Sequence, residues 1–282
     1  MLTAASLSDY LKIVSDLRKD WKVKDHKELW FRAESSTHAT TRLQPGLYRP
    51  RAGSNRKTIN DLLTLENDLY EEFQRCAPQL SDRLIEDDWD SYFLMQHHGV
   101  PTRLLDWTDG ALIALHFAVN HRTAPFTTGA VIYAMNPHWL VKLLKKHPDR
   151  KDAERRWVSF NKKHPYDTDE FTWENLYLPL DEWDATKRAL KTPRIPLLWD
   201  SPHVSRRIAA QRSRFIIFGS DPTWLSKRAA KSASQIRPIE VPASSIGEIK
   251  GALRDAGISE SVIFPDLDGL GRELRQAWDM RH

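Results

Sequence analysis

The chain is short of glycine and almost without cysteine: its 282 residues hold 11 glycines and one cysteine. A lone Cys76 excludes an internal disulfide and a cysteine-built metal cluster; it falls on the apolar side of a helical pattern and reads as a small core residue. Scarce glycine argues against a glycine-cradled phosphate site, and the chain has no P-loop, no Gly-x-Gly dinucleotide fingerprint and no HExxH string. Any phosphate grip must come from side chains or a helix N-terminus. No apolar run approaches the roughly 20 residues that span a bilayer, and a membrane partner is not expected. The start, MLTAASLSDYLKIVSDLRKDW, lacks the basic lead and unbroken apolar block of a signal peptide and reads as an amphipathic helix within residues 1–26. The expected compartment is the cytoplasm.

Charge of one sign is not in large excess. Lys and Arg number 42 against 38 Asp and Glu, a net +4, but the distribution is uneven. Residues 142–163 carry nine Lys or Arg against three Asp or Glu. Such a stretch either attracts phosphate backbones or forms a solvated helix face with i,i+4 ion pairs. Tryptophan is abundant, at 11. Trp107, Trp157, Trp173, Trp183, Trp199 and Trp224 lie among charged or Pro-containing segments, where indoles either stack on a base or pack the core and its rim.

Organisation follows from periodicity. KELWFRA leads into a short aromatic strand ending at Arg32, and residues 35–50 read as a loop stopped by Pro45-Gly46. Leu62, Leu65, Leu69, Phe73 and Cys76 recur at helical spacing across 61–77. A second helix over 88–98 ends at Gly99 and Pro101. Residues 102–107 fit a short strand, and 109–120 a buried helix with Asp109 as N-cap. GAVIYAM (129–135), RFIIFG (214–219) and QIRPIEV (235–241) read as strands. A helix over 244–256, a turn at Gly257 and a terminal helix after FPDLDG complete the chain. Residues 136–202, with basic helical stretches and Pro165, Pro179, Pro193 and Pro196, read as an insertion or lid in a single domain. Strands and helices mix without strict βαβ alternation, which predicts an α+β fold on one mixed sheet with flanking helices and a helical or irregular insertion.

The polar residues crowd into QHHGVPTRLLDWTDGALIALHFA (96–118). Adjacent His97 and His98 on a helix point about 100° apart and lack a ligand at i,i+4, so a structural role outranks a metal site; no metal is expected. Gln96 has an amide suited to the same capping work. The Asp106-Trp107-Thr108 corner, a strand running into a helix, aims a hydroxyl and free amides at one point, either as an anion or carbonyl site or as plain architecture. Arg103 and Asp106 serve either as its polar lining or as a structural ion pair. Arg32, presented at a strand end beside Trp30 and Phe31, suits a bidentate phosphate contact or a structural salt bridge. Gln211 stands at the entrance of RFIIFG.

These pieces resemble the FRG domain family, named for an aromatic-Arg-Gly motif. The matching strings are LWFRAESS (29–36), LQPGLYRP (43–50), LMQHHGVPTRLLDWTDGALIALHFA (94–118), AAQRSRFIIFG (209–219) and GISESVIFPDLDGL (257–270). One departure is plain: the name-giving glycine is Ala33. The family's layout looks like that of ADP-ribosyltransferases of the Arg-Ser-Glu type. In those, a first strand ends in an Arg on the NAD phosphates, a second carries Ser or Thr before an A-x-x-F-A helix, and a late strand bears Glu or Gln. The resemblance assigns these roles to Arg32, Thr108 with ALHFA (114–118), and Gln211.

The resemblance implies a NAD-consuming enzyme. Its catalytic candidates are Arg32, Asp106, Thr108 and Gln211, and its NAD-contacting candidates are Phe31, Arg32, Gln96, His97, Arg103, Trp107 and Thr108. Trp107 or Phe31 would stack the nicotinamide; Asp106, Glu170 or Glu174 would supply the acid that Gln211 is not. The leading expectation is an ADP-ribosyltransferase with NAD as co-substrate, acting as an intracellular toxin or anti-phage defence effector. The acceptor would be nucleic acid, RNA before DNA, or protein, and an antitoxin or chaperone would restrain it. The second expectation is a non-catalytic nucleotide or nucleic-acid sensor, and the third a metal-dependent nuclease at His97 and His98.

Overall fold

A computed structural model describes residues 2–34, 42–49, 57–81, 84–120, 129–163, 173–179, 191–199 and 206–278. Its strands are β1 (Leu2–Thr3), β2 (Trp30–Glu34), β3 (Leu104–Thr108), β4 (Ala130–Met135), β5 (Leu197–Trp199), β6 (Ser213–Ile217) and β7 (Ile236–Val241). They form one seven-stranded sheet in the order β1-β7-β4-β2-β3-β6-β5. Only the β1–β7 pair is parallel, so the sheet is mixed and the fold is α+β. The helices are α1 (Leu7–Asp20), α2 (Ile59–Cys76), α3 (Asp88–His97), α4 (Ala111–Asn120), α5 (Pro137–Lys145), α6 (Pro148–Lys163), α7 (Arg206–Ala210), α8 (Trp224–Ala229), α9 (Ile246–Asp255), α10 (Glu260–Ile263) and α11 (Leu267–Ala277).

Strand alternation sorts the core into faces. Ala130, Ile132 and Ala134 of β4 pack with Phe31, Ile239 and Val241 under α1, α4 and α9. Their neighbours Val131, Tyr133 and Met135 point the other way, packing with Trp30, Leu105, Trp107 and Ile216 against α5 and α8. A third cluster joins Tyr92, Phe93 and Met95 of α3 to Leu104, Phe215 and Ile217. The first face of the sheet therefore carries two separate apolar clusters, one on the β4 side and one on the β6 side. The junction between them is the β2–β3 pair. β2 pairs with β4 at all five of its residues, and β3 does so with β6, but β2 meets β3 only at Phe31 and Thr108. The two halves of the sheet part there.

Most predicted elements are present with shifted ends. β2 runs past Arg32 to Glu34, and the terminal helix starts inside FPDLDG, where Asp266 accepts the Gly269 amide at 2.7 Å and caps it. Of the predicted 35–50 loop, residues 35–41 and 50 lie outside the described residues; Gly46–Tyr48 is a 3-10 turn. Asp109 is not the cap of α4. Its carboxylate is paired with Arg212 and with Arg214, at 2.7 Å, and the Gly110 amide is met instead by the Thr108 hydroxyl at 3.0 Å. The described parts of 136–202 are built into the body: Leu140 and Leu144 of α5 are core residues, and β5 is an edge strand of the sheet.

Helix α2 departs most from its apolar pattern. Leu62, Leu69 and Phe73 are half-buried and Cys76 is only partly covered, whereas the buried positions are Glu66 and Tyr70. The reason is Arg103. Its guanidinium, 1% exposed, is paired through Nε with Glu66, at 0%, and its amide donates to Glu66 Oε1 at 2.8 Å. Nη1 donates to the Phe218 carbonyl at 3.2 Å and Nη2 to that of Tyr177; the Tyr92 hydroxyl donates to the same carboxylate. Burial works against the charge on Arg103, yet Glu66 and the neighbouring tyrosine hydroxyls outweigh it and hold its pKa above the ordinary value. Burial, then Glu66, pushes the Tyr92 hydroxyl up as well, so it stays a donor. Arg103→Met leaves a buried carboxylate without its cation, and we expect urea unfolding to show a loss of about 3–5 kcal/mol. Glu66→Leu combined with Arg103→Met recovers most of that loss, because no charge is then stranded.

Candidate functional site

Where β2 and β3 part, a cavity of about 300 Å³ opens between the two apolar clusters. Phe31 and Ala33 of β2, Phe93 of α3, Phe117 of α4 and Phe215 of β6 wall it with carbon, and Arg32, Gln96, His97, Asp106, Thr108, Arg207 and Gln211 supply its polar groups. Eight of the nine candidate residues from the sequence border it. Alternation turns Arg32 to the face of Trp30 and Tyr133, but the missing β2–β3 ladder lets its guanidinium reach across, and Nη1 donates to the Asp106 carbonyl at 2.7 Å. Nε donates to Glu34 Oε1 at 2.6 Å, and Glu34 takes a second guanidinium, Arg49, at 3.0 Å. Burial, with Arg32 alongside, lowers the Arg49 pKa against the pull of Glu34.

Asp106 is the accessible acid, its side chain 54% exposed. Its Oδ2 lies 3.9 Å from Arg32 Nη1 and accepts from Gln96 Nε2 at 2.8 Å. Gln96 is itself fixed, because its oxygen accepts from the Thr102 hydroxyl at 2.6 Å. The turn that ends α3 makes this possible: Gly99 sits at φ +78°, and Val100 returns a backbone hydrogen bond to Met95 at 2.9 Å. A left-handed residue there closes the helix and lets the chain double back into β3. Gln96 is thereby held beside Asp106.

The Thr108 corner is closed on protein groups. The hydroxyl donates to the Gln211 carbonyl at 2.7 Å and accepts from Gly110, while the Asp109 amide donates to the Arg212 carbonyl at 3.3 Å. These groups bind each other, not an open anion site. Arg212 adopts φ +48°, an uncommon backbone state for a side-chain-bearing residue, and its pairing with Asp109 pins the turn that delivers Gln211. The Gln211 amide lies 3.5 Å from the Ile263 carbonyl, so α10 backs the cavity. That helix is locked to α4: His116 Nε2 lies 3.0 Å from Glu260 Oε2, Glu260 Oε1 accepts from Arg272 at 2.7 Å, and Asn120 sits 3.0 Å from His116 Nδ1.

Several assignments are corrected. Arg103 holds Glu66 and does not line the cavity. The Trp107 ring belongs to the core on the opposite sheet face; a strand residue between Asp106 and Thr108 must point away from both. The aromatic walls of the cavity are the phenylalanines. Trp157 and Trp224 are buried, Trp173 and Trp199 half-buried, with Trp199 stacked on Trp89 at 4.0 Å; Trp183 lies outside the described residues. Of the alternative acids, Glu174 is not at the cavity and Glu170 lies outside the described residues. No described residue of 136–202 lines the cavity. The basic helix α6 pairs Arg150 with Glu154 at 2.7 Å and Arg155 and Arg156 with Asp152 at 3.3 and 3.0 Å, as a solvated helix face does. His97 and His98 meet edge to face, their rings 5.0 Å apart. Among the described residues no three His, Cys, Asp or Glu side chains form a metal-holding group, and no helix is long and apolar enough to cross a membrane.

Sequence reasoning missed Glu34, Phe93, Phe117, Phe215 and Arg207. The phenylalanines look like ordinary core residues in a string; Glu34, two residues from Arg32 on the same strand face, is the one that spacing signals.

Residues 27–125 match the family model of the FRG domain. That segment contains Arg32, Gln96, His97, Asp106 and Thr108, while Arg207 and Gln211 lie beyond it. No curated protein matches the chain, and no solved structure does.

Thr108→Val tests whether the hydroxyl is a fixture of the corner. It leaves the Gln211 carbonyl and Gly110 amide unpaired, and we expect a loss of about 1–3 kcal/mol in thermal or urea unfolding. An unchanged unfolding midpoint contradicts that role.

Proposed function

We propose that this chain, which carries an FRG domain, is an ADP-ribosyltransferase that uses NAD as co-substrate. The observation that carries the reading is the convergence of Arg32, Asp106, Thr108 and Gln211, from three separate stretches, on one cavity walled by phenylalanines. A flat ring fits between aromatic walls, and an oriented carboxylate beside it suits a sugar that becomes cationic. The volume is at the small end of the roughly 300–1,000 Å³ of ligand pockets, so the nicotinamide-ribose half sits inside and the adenosine half outside.

In the proposed reaction the ribose C1′–nicotinamide nitrogen bond breaks and its electron pair leaves with neutral nicotinamide. An oxygen or nitrogen of the acceptor bonds to C1′ and loses a proton, which Asp106 or water takes up. Asp106, held by Gln96, stabilises the oxocarbenium charge as it develops; Gln211 contributes a neutral hydrogen bond where related layouts place an acid. The acceptor is RNA or another nucleic acid, or a protein. A chain that consumes NAD or modifies RNA in its own cell acts as an intracellular toxin or anti-phage effector and needs an antitoxin or chaperone to hold it in check. The sensor reading keeps one observation of its own: the Thr108 hydroxyl is engaged by protein groups on both sides, leaving Asp106 as the principal reactive group.

The test is incubation with adenine-labelled NAD, total RNA and cell lysate. We expect nicotinamide release and label transfer, and Asp106→Asn lowers both by about 10²–10⁴-fold with an unchanged melting temperature. NAD binding without nicotinamide release supports the sensor; neither binding nor release overturns both readings.

A further inference from the structure

The polar end of the cavity contains two guanidiniums in different states. Arg32 has its Nε on Glu34 and its Nη1 on the Asp106 carbonyl, and Glu34 balances its charge at 2.6 Å. Arg207, on α7, lines the same cavity and is half-buried. Its guanidinium makes no hydrogen bond and no ion pair with any described residue. Its contact is with a ring: the guanidinium carbon sits 4.6 Å from the centre of Phe264. The same ring has Arg272 at 4.7 Å, but Arg272 is satisfied by Glu260. A guanidinium stacked on an aromatic is held in orientation by its flat face, which leaves its edge, with five N–H donors, pointing elsewhere. Partial burial, with Arg272 nearby, is unfavourable for the cation and lowers the Arg207 pKa; Asp266 and Asp106 only partly oppose this. An anion in the cavity would supply the partner that no described residue gives it.

We propose that Arg207 is the principal anion-binding group of the cavity, gripping the phosphate oxygens of a nucleotide diphosphate. Arg32 is a positioning residue that holds Asp106 across the gap between β2 and β3. This deepens the transferase reading and rests on it for the identity of the ligand. It moves the phosphate contact from the strand that the family layout points to, β2, to α7, the helix that leads into Gln211. Gln211 and Arg207 are coupled there, since the backbone N–H of Gln211 donates to the Arg207 carbonyl at 2.9 Å. A bidentate guanidinium–phosphate contact there sets the diphosphate beside Gln211, with the Asp106 carboxylate near enough to feel the same cation.

The experiment is calorimetry on the full chain with NAD, inorganic pyrophosphate and nicotinamide riboside, which lacks phosphate. The variants are Arg207→Met, which keeps an apolar stem on Phe264, Arg207→Lys and Arg32→Gln. We expect Arg207→Met to weaken NAD and pyrophosphate by roughly 10–100-fold with riboside affinity unchanged. Arg207→Lys recovers part of the loss, and Arg32→Gln weakens pyrophosphate less than Arg207→Met does. Wild-type protein that binds NAD, with Arg207→Met binding it equally well, overturns the assignment and leaves the transferase reading standing. Binding of pyrophosphate but not NAD, lost in Arg207→Met, upholds the anion site and sinks the transferase. No binding of NAD or pyrophosphate by the wild type overturns both. Equal loss in Arg207→Met for phosphate-bearing and phosphate-free ligands points to a collapsed pocket and also overturns the assignment.

Discussion

The buried Glu66–Arg103 pair is the constraint from which the rest of the architecture follows. Arg103 stands one residue before β3, and its charged head binds α2 through Glu66, the 173–177 turn through the Tyr177 carbonyl, and the end of β6 through the Phe218 carbonyl. Tyr92 brings α3 to the same carboxylate. Four elements therefore meet at one polar centre, inside a region where an unpaired charge is very costly. That geometry fixes how β3 leaves α3 and where Gln96 and Asp106 face each other. A hydrophobic contact of the same size would hold the elements together without dictating direction; the hydrogen bonds do dictate it.

The second constraint is the incomplete seam of the sheet. Each half is fully laddered within itself, β2 with β4 and β3 with β6, but the halves share one residue pair. Backbone groups released from a ladder must find other partners, and the Asp106 carbonyl finds the Arg32 guanidinium. The seam is thus held by a side chain, and a cavity exists because two apolar clusters, each complete, do not merge across it. A cleft between such halves combines rigid walls with polar groups drawn from distant parts of the chain, a good foundation for a site that must orient a ligand.

The C-terminal segment belongs to the site although it lies outside the matched FRG segment. Glu260, His116 and Arg272 clamp α10 and α11 to α4, which brings Phe264 under Arg207 and the Ile263 carbonyl to Gln211. The polar end of the cavity is therefore completed by residues far along the chain from β2 and β3.

Periodicity and turn chemistry were enough to read the α+β class, the main strands and the long helices, because those depend on local rules: alternation, helical spacing, Gly99 after α3. The family resemblance adds Arg32, Thr108 and Gln211 as partners, and they do share a cavity. Local rules misplaced what depends on pairing at a distance. The apolar stripe of α2 concealed that Glu66 is one of its two buried residues, since only a cation from another element makes burial of a carboxylate tolerable. Arg103 and Trp107 looked like site residues in the string, but one satisfies Glu66 and the other faces away by strand alternation. Nothing in the string sets Arg207 apart; only the fold shows it at the cavity with no ion pair to a described residue. The sequence determined the elements and the chemical groups available. The tertiary structure decided which charges neutralise each other and which remain to meet a ligand, because that depends on distances the chain sets only when it is folded.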